Sequence, residues 1–303
     1  MEIFLQQLIN GLTTGSLFAL IAIGYTMVYG IIELINFAHG DLFMLGSFLA
    51  LTLVSALNLE QAGPAGRAGG IALVFLASMS FCAALNLLQD RVVYRPLRNA
   101  PKLTPLVSAI GVSFVFMGIG QAWKGVADIN FPDLLPNRNL LGTESLRFTV
   151  KDLAVISCTV PLMAGLTLFV RTTRLGKAMR ATAQNPVAAQ LMGIDVNRVI
   201  GATFAIGGLL AGAASVIYGL TINTVSFQMG YQNGLYAFTA AVLGGIGNLP
   251  GAMVGGVVIG LVRSLGSQYV GEQWTSALVF AILIVLLVFR PAGLLGARTR
   301  EKV

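Results

Sequence analysis

The sequence predicts an all-α integral membrane protein, a polytopic helical bundle of about eight transmembrane helices with a broken, glycine-rich helix near the C-terminal third. Three observations carry this. The 303 residues are 56% hydrophobic and only 10% charged, and their mean hydropathy is +0.81. A soluble domain carries about 25% charged residues, so this chain could not cover a globular surface but suits solvation by lipid. Apolar runs near 20 residues recur along its length, the span of a membrane helix. Finally, residues 234–260 read GLYAFTAAVLGGIGNLPGAMVGGVVIG, an apolar stretch interrupted by Gly244, Gly245, Gly247 and Pro250. Irregular backbone survives at membrane depth only where it is buried in protein or lines a cavity, so the break points to a transport path.

In order, spans are predicted near 8–31, 36–57, 69–90, 104–123, 150–170, 199–220, a broken pair at 234–247 and 251–269, and 273–289. The first run lacks a basic leader and is expected to stay in the protein. Residues 1–303 read as a single transmembrane domain. Cys82 and Cys158 fall inside apolar runs and read as small buried hydrophobes. Gly247, Gly251 and Gly255, Gly256 and Gly260, and Gly208 and Gly212 repeat at four-residue spacing, which lets helix backbones approach closely. Static packing and sliding during gating both fit that spacing.

The net charge of +7 is a topology signal rather than a nucleic-acid one. Thirteen of the nineteen Lys and Arg fall in three segments: Arg91, Arg95, Arg98 and Lys102; Arg171, Arg174, Lys177, Arg180 and Arg198; and Arg290, Arg298, Arg300 and Lys302. The spans put all three on one side, and the positive-inside rule makes that side the cytoplasm. The C-terminus is then cytoplasmic and the N-terminus outside. The loop 124–151 lies opposite, its four bases balanced by Asp128, Asp133, Glu144 and Asp152.

Several chemistries are excluded or disfavoured. The chain has no G-x-x-x-x-G-K followed by Ser or Thr, so it carries no P-loop nucleotide site. One histidine leaves little material for metal sites or His-dependent triads. Intramembrane ionisable groups, which ion-coupled carriers need, are few; Glu33, Asp41 and His39 cluster near one interface, and Arg263 follows an apolar run. The segment 171–198 is polar, basic and long for a link between spans. Asn185-Pro186 marks a helix start, a short amphipathic helix is predicted over 186–192, and Gly193 stops it. Such a helix suits docking on another protein; a solvated basic loop that only sets topology fits the same residues.

Five stretches together resemble a known family: NFAHGDLFMLGSF (36–48), YRPLR (94–98), TRLGKAMRATAQNPVAAQLMGID (173–195), AFTAAVLGGIGNLPGAMVGG (237–256) and FRPAGLLG (289–296). In this order, over nearly the full length, they resemble the permease subunit of the branched-chain amino acid ABC importer, LivH type. The resemblance implies a bacterial inner-membrane protein with four kinds of partner. These are a second homologous permease, two cytoplasmic ATPase subunits that use ATP and Mg, a periplasmic binding protein that delivers leucine, isoleucine or valine, and the lipid bilayer. It implies no cofactor on this chain. It also makes 171–198 an ATPase-docking loop. Ala188, Ala189 and Gly193 match the family's E-A-A-x-x-x-G docking pattern, while Val187 stands where Glu is expected. Lys177 and Arg180 could supply charge to the ATPase instead.

The substrate path is expected among Asn36, His39, Asp41, Gly244, Gly245, Gly247 and Asn248. A zwitterion could place its carboxylate at a helix N-terminus and its ammonium on freed carbonyls. Structural alternatives stand beside this: a carbonyl-bonded interface histidine at His39, a dipole-favoured helix-start carboxylate at Asp41, and a turn residue at Asn248. Two alternatives stand beside this reading: the resemblance extends to ABC permeases for urea, an amide or a sugar, which share the glycine-rich block, and a secondary transporter acting alone fits the composition.

Overall fold

The computed structural model describes residues 1–98, 100–101, 103–142 and 146–296. Lys102, Glu144, Arg298, Arg300 and Lys302, all used in the charge count above, lie outside the described residues. Among the described residues eight helices are long and apolar enough to cross a membrane.

The chain opens with α1 (Glu2–Ile32), which ends at Glu33 in the left-handed conformation, φ 54°. After a short link comes α2 (Ala38–Ala56), then α3 (Pro64–Gln89), which starts with Pro64 inside its first turn. A π turn over Asp90–Tyr94 carries α3 into the short α4 (Arg95–Leu97). Pro96 has no N–H to continue the i to i−4 ladder. Just before it the Arg95 N–H already reaches back to the Asp90 carbonyl, and the extra residue turns Tyr94 inward. Next is α5 (Leu103–Lys124). A two-stranded ribbon follows: β1 (Ile129–Asn130) pairs antiparallel with β2 (Thr224–Val225), Ile129 opposite Val225. Between them lie α6 (Val150–Thr172), whose Thr149 and Asp152 form a capping box, α7 (Arg174–Gln184), α8 (Pro186–Leu191) and α9 (Val196–Ile222). The chain closes with α10 (Met229–Gly244), α11 (Leu249–Tyr269) and α12 (Glu272–Phe289).

Helices α1, α2 and α9 are largely buried, whereas α3, α5, α6 and α12 expose most of their apolar surface. The exposed residues include Leu76, Phe114, Leu168 and Val285. In a chain solvated by lipid this is an inner cluster of helices with a lipid-facing rim.

The glycine block is two helices rather than one kinked helix. Ala240 lies against Gly255 and Gly244 against Gly251, a constant sum of residue numbers that makes α10 and α11 antiparallel. Gly245 (φ 106°) and Gly247 (φ 89°) form the turn between them, conformations that cost a residue with a Cβ. The recurrent glycines divide by face. Gly251 and Gly255 meet α10, while Gly256 and Gly260 meet α1, where a Cβ at Gly260 would stand 2.2 Å from the Gly15 Cα. On α9, Gly208 and Gly212 meet the α3 backbone at Cys82 and Ser78 in the same way. Helix α10 has 16 residues, about 24 Å at 1.5 Å per residue, which is short of an apolar core of about 30 Å.

Contacts between ends sort the loops by face. Gln6 binds the main chain of Arg147, Gln7 meets Ser264 and Gln268, and β1 pairs with β2. At the other end Arg98 binds Asp90 and Asn197, and the Leu294 and Leu295 N–H groups donate to the carbonyls of Leu243 and Gly244. The described basic loops at 90–98 and 171–198 therefore share a face with the α10–α11 turn. Residue 1 and the ribbon share the opposite one.

The α1–α11 contact is backbone against backbone, so it has no flexible side chain to yield. Gly260→Val is expected to cost about 1–3 kcal/mol, the usual range for overpacking. Gly118→Ala on the open face of α5, where nothing lies within 4 Å, should stay within about 0.5 kcal/mol of the wild type. Thermal unfolding of the detergent-purified chain measures both.

Candidate functional site

The link 33–37 and the first turn of α2 set three of the expected path residues in the interior. Asn36, His39 and Asp41 are all buried. The Asn36 carbonyl accepts from the His39 N–H at 3.1 Å, a turn that feeds the chain into α2.

Asn36 is the hub of a polar network. Its Oδ1 accepts from Gln89 Nε2 at 2.9 Å and from the Tyr94 hydroxyl at 3.0 Å. Its Nδ2 donates to Gln89 Oε1 at 3.4 Å and to Asn86 Oδ1 at 3.5 Å. Asn86 Nδ2 donates to the Phe204 carbonyl at 2.6 Å, tying α3 to α9. A buried amide group left unpaired costs free energy, and here each member satisfies another. The π turn supplies Tyr94, which the sequence reading missed; Pro96 in YRPLR was the available signal.

His39 and Asp41 are less fully paired. The His39 ring packs edge-on to Tyr25, centroids 4.8 Å apart. Neither ring nitrogen makes a well-aligned hydrogen bond to a described residue, but the Ile21 carbonyl lies beside the ring, the neighbour that the structural alternative of a carbonyl-bonded histidine requires. Space for the ring comes from Gly24, where a Cβ would stand 2.3 Å from His39 Nε2. Asp41 Oδ2 accepts from the Ser113 hydroxyl on α5, while Oδ1 has no partner among the described residues. Asp41 sits in the first turn of α2. Its Oδ1 also faces Gly230 in the first turn of α10, where a Cβ would stand 2.9 Å away. Two helix N-termini thus converge on one carboxylate, an arrangement favourable to negative charge.

Beside this cluster lies a cavity of about 500 Å³ between α1, α5 and α10. Tyr25, Ser113, Gly230, Gly234 and Phe238 line it, with Ile110 and Phe114 at its outer edge. Its wall is apolar apart from a few hydroxyls, the pattern of a small-molecule site with sparse polar anchors.

The other expected path residues are placed elsewhere. Gly244, Gly245, Gly247 and Asn248 form the α10–α11 turn, where the polar groups freed by the break are largely occupied. Leu294 and Leu295 take the carbonyls of Leu243 and Gly244. Asn248 caps α11, accepting from the Gly251 N–H at 3.2 Å and donating to the Leu295 carbonyl at 2.6 Å. Gly247 approaches Gly30 near the end of α1. The structure therefore brings Asn36, His39 and Asp41 together, and places the glycine turn apart from them.

The segment 171–198 contains two helices where the sequence suggested one. The Thr173 hydroxyl caps α7 by accepting from the Gly176 N–H at 3.0 Å. Gly176, Met179 and Thr182 form its buried side. Asn185 caps α8 in the same manner at Ala188, and Gly193 ends it at φ 82°. Ala189 is buried, whereas Lys177, Arg180 and Ala188 are exposed. Val187, Leu191 and Met192 are also exposed, the last two by more than four-fifths. Met179 and Arg180 line a small cavity together with Gly30 and Gly247, so α7 lies directly beneath the end of α1 and the α10–α11 turn.

A family model described as "branched-chain amino acid transport system / permease component" matches residues 7–288. The high-affinity branched-chain amino acid transport system permease protein BraD of Pseudomonas aeruginosa is 42% identical, covering 99% of this chain and 98% of that protein. The LivH protein of Escherichia coli, with the same description, is 40% identical at the same coverage. A probable branched-chain amino acid permease, LivH of Methanocaldococcus jannaschii, is 26% identical over 93% of this chain and 89% of its own length. No solved structure matches.

The Asn36 network should behave as one unit. In a double-mutant cycle, Asn36→Ala and Gln89→Ala should show a coupling of about 0.6–1.7 kcal/mol, the range of hydrogen bonds between membrane helices. Strict additivity in unfolding measurements would show that the two amides act separately.

Proposed function

The chain belongs to the branched-chain amino acid transport system permease family, and on that premise we propose that it is the membrane-spanning subunit of an ATP-driven importer of leucine, isoleucine and valine. The observation that carries this reading is the 40–42% identity to such permeases over nearly the whole length. The chain is a multi-pass membrane protein whose work is mechanical, with ATP and Mg handled by two ATPase subunits on partner chains. A second, homologous permease pairs with this chain, and an exported binding protein delivers the solute. The membrane is the bacterial inner membrane, with the face of α7, α8 and the C-terminus in the cytoplasm.

In this reading residues 171–198 form the docking element. Val187, Leu191 and Met192 present an apolar surface, and Lys177 and Arg180 add positive charge. Ala189 packs the buried side of α8, Gly193 ends the helix, and Ala188 lies on its exposed side. Closure of the ATPases moves α7 and α8. That movement reaches α1 and the turn at Gly244, Gly245, Gly247 and Asn248 across the small cavity that Met179 and Arg180 line with Gly30 and Gly247. The packed glycine faces supply two discrete arrangements rather than a continuum. The solute passes beside Asn36, His39 and Asp41. There the unpaired Asp41 oxygen can receive an ammonium group, and the adjoining cavity can receive a branched side chain.

Two experiments test this. Proteoliposomes with the full complex should accumulate labelled leucine only with ATP and binding protein, and in preference to urea or ribose; preference for urea or ribose would reassign the substrate. Deleting 185–193 should reduce ATP-driven uptake to background while the permease still inserts. Uptake that persists at wild-type rate would remove the docking role.

A further inference from the structure

The end of the bundle opposite α7 and α8 holds a second cavity, of about 260 Å³, between α1, α9, α10 and α11. It is smaller than the roughly 300–1,000 Å³ of sites for drug-sized ligands, and suits a solute the size of one amino acid. Its floor is apolar, formed by Leu17, Phe18 and Ile21, and its rim carries Arg263, Glu272 and Asn233. The cavity beside Asp41 has no charged lining residue, so it cannot offer the same pairing of charges.

Arg263 is built into this rim. Its guanidinium lies 5.0 Å from the Tyr236 ring centroid and 5.7 Å from that of Phe18, and the two rings are themselves 5.5 Å apart. The Tyr236 hydroxyl is anchored by Ser276 at 2.7 Å. Cation–π contacts of this kind fix the plane of the guanidinium without using its N–H groups. No hydrogen bond to a described residue occupies those donors. Arg263 pairs at long range with Glu272, 3.8 Å away and two-thirds exposed, an ion pair beyond hydrogen-bond range. An arginine whose single ion pair is long and exposed keeps unused hydrogen-bonding donors, and a carboxylate matches that fork in bidentate geometry.

We infer that this cavity is an entry site for a free α-amino acid. Arg263 receives the carboxylate, Glu272 the ammonium, and Leu17, Phe18 and Ile21 the branched side chain. The inference rests on the importer reading, since it places the solute on the face to which a binding protein would deliver it. Along α1 the site ends at Ile21, one turn before Tyr25 of the Asp41-side cavity, while on α10 its Asn233 lies level with that cavity's Gly230 and Gly234.

The test uses the whole complex in proteoliposomes. Arg263→Gln should raise the KM for leucine at least tenfold and abolish the preference for leucine over leucinamide, which lacks the carboxylate. Arg263→Lys, which keeps the charge without the fork, should restore part of that preference. Glu272→Gln lies on an exposed side chain and is expected to fold; it should raise the KM several-fold on its own. If the assembled variants keep wild-type KM and discrimination, the site is wrong while the importer reading stands. A wild-type complex that carries a solute without a carboxylate in place of leucine would overturn both.

Discussion

The contact on which this structure depends is the close approach of α1 and α11. Lipid gives two apolar helices no hydrophobic reason to associate, so packing must come from dispersion over a large area at short range. Glycine provides that range by removing the side chain from the seam. Gly11 and Gly15 on one helix meet Gly260, Leu261 and Val257 on the other at distances a Cβ would violate. Because α11 also turns Gly251 and Gly255 to α10, it acts as a wedge with two smooth faces. Helix α1 is thereby held along its length, and every cavity along it inherits its position from that seam.

A rigid frame of this kind makes the buried polar groups tolerable. Asn36, Asn86, Gln89 and Tyr94 come from the α1–α2 link, α3 and the π turn, and they satisfy one another only if those elements keep their register. Asp41 and His39 are placed by the same frame but left incompletely bonded. An incompletely satisfied buried group is a cost that packing elsewhere must sustain, which is why such groups mark places where a solute can supply the missing partner. Arg263, at the other end, is steadied by aromatic faces and makes only a long ion pair to Glu272. The two sites share a physical logic: fixed side chains with unused hydrogen-bonding capacity, set beside apolar walls.

Much of this was legible in the residues. Apolar run length gave the membrane helices, because a spanning segment must satisfy its backbone internally and must match the bilayer. Asn185, Pro186 and Gly193 marked α8 because capping is local chemistry. The π turn was hidden, since the same residues read as the end of an ordinary helix, and α7 was hidden within a basic stretch whose buried side is only Gly176, Met179 and Thr182. The glycine block was legible as an interruption but not as a hairpin, because spacing cannot say whether a helix bends or reverses.

The sequence by itself determined the membrane class, the helix spans and the caps of α8, which follow from neighbours within a few positions or from overall composition, and the family, which follows from motifs spread along the chain. Only the tertiary structure decided which glycine faces which helix, that the groups freed at Gly244–Asn248 are taken by the C-terminal segment, and that Arg263 rests on Phe18 and Tyr236. Those facts join residues more than forty positions apart or on separate helices. Periodicity records which side of a helix is apolar or small, but not which partner meets it, and in a membrane nearly every side is apolar.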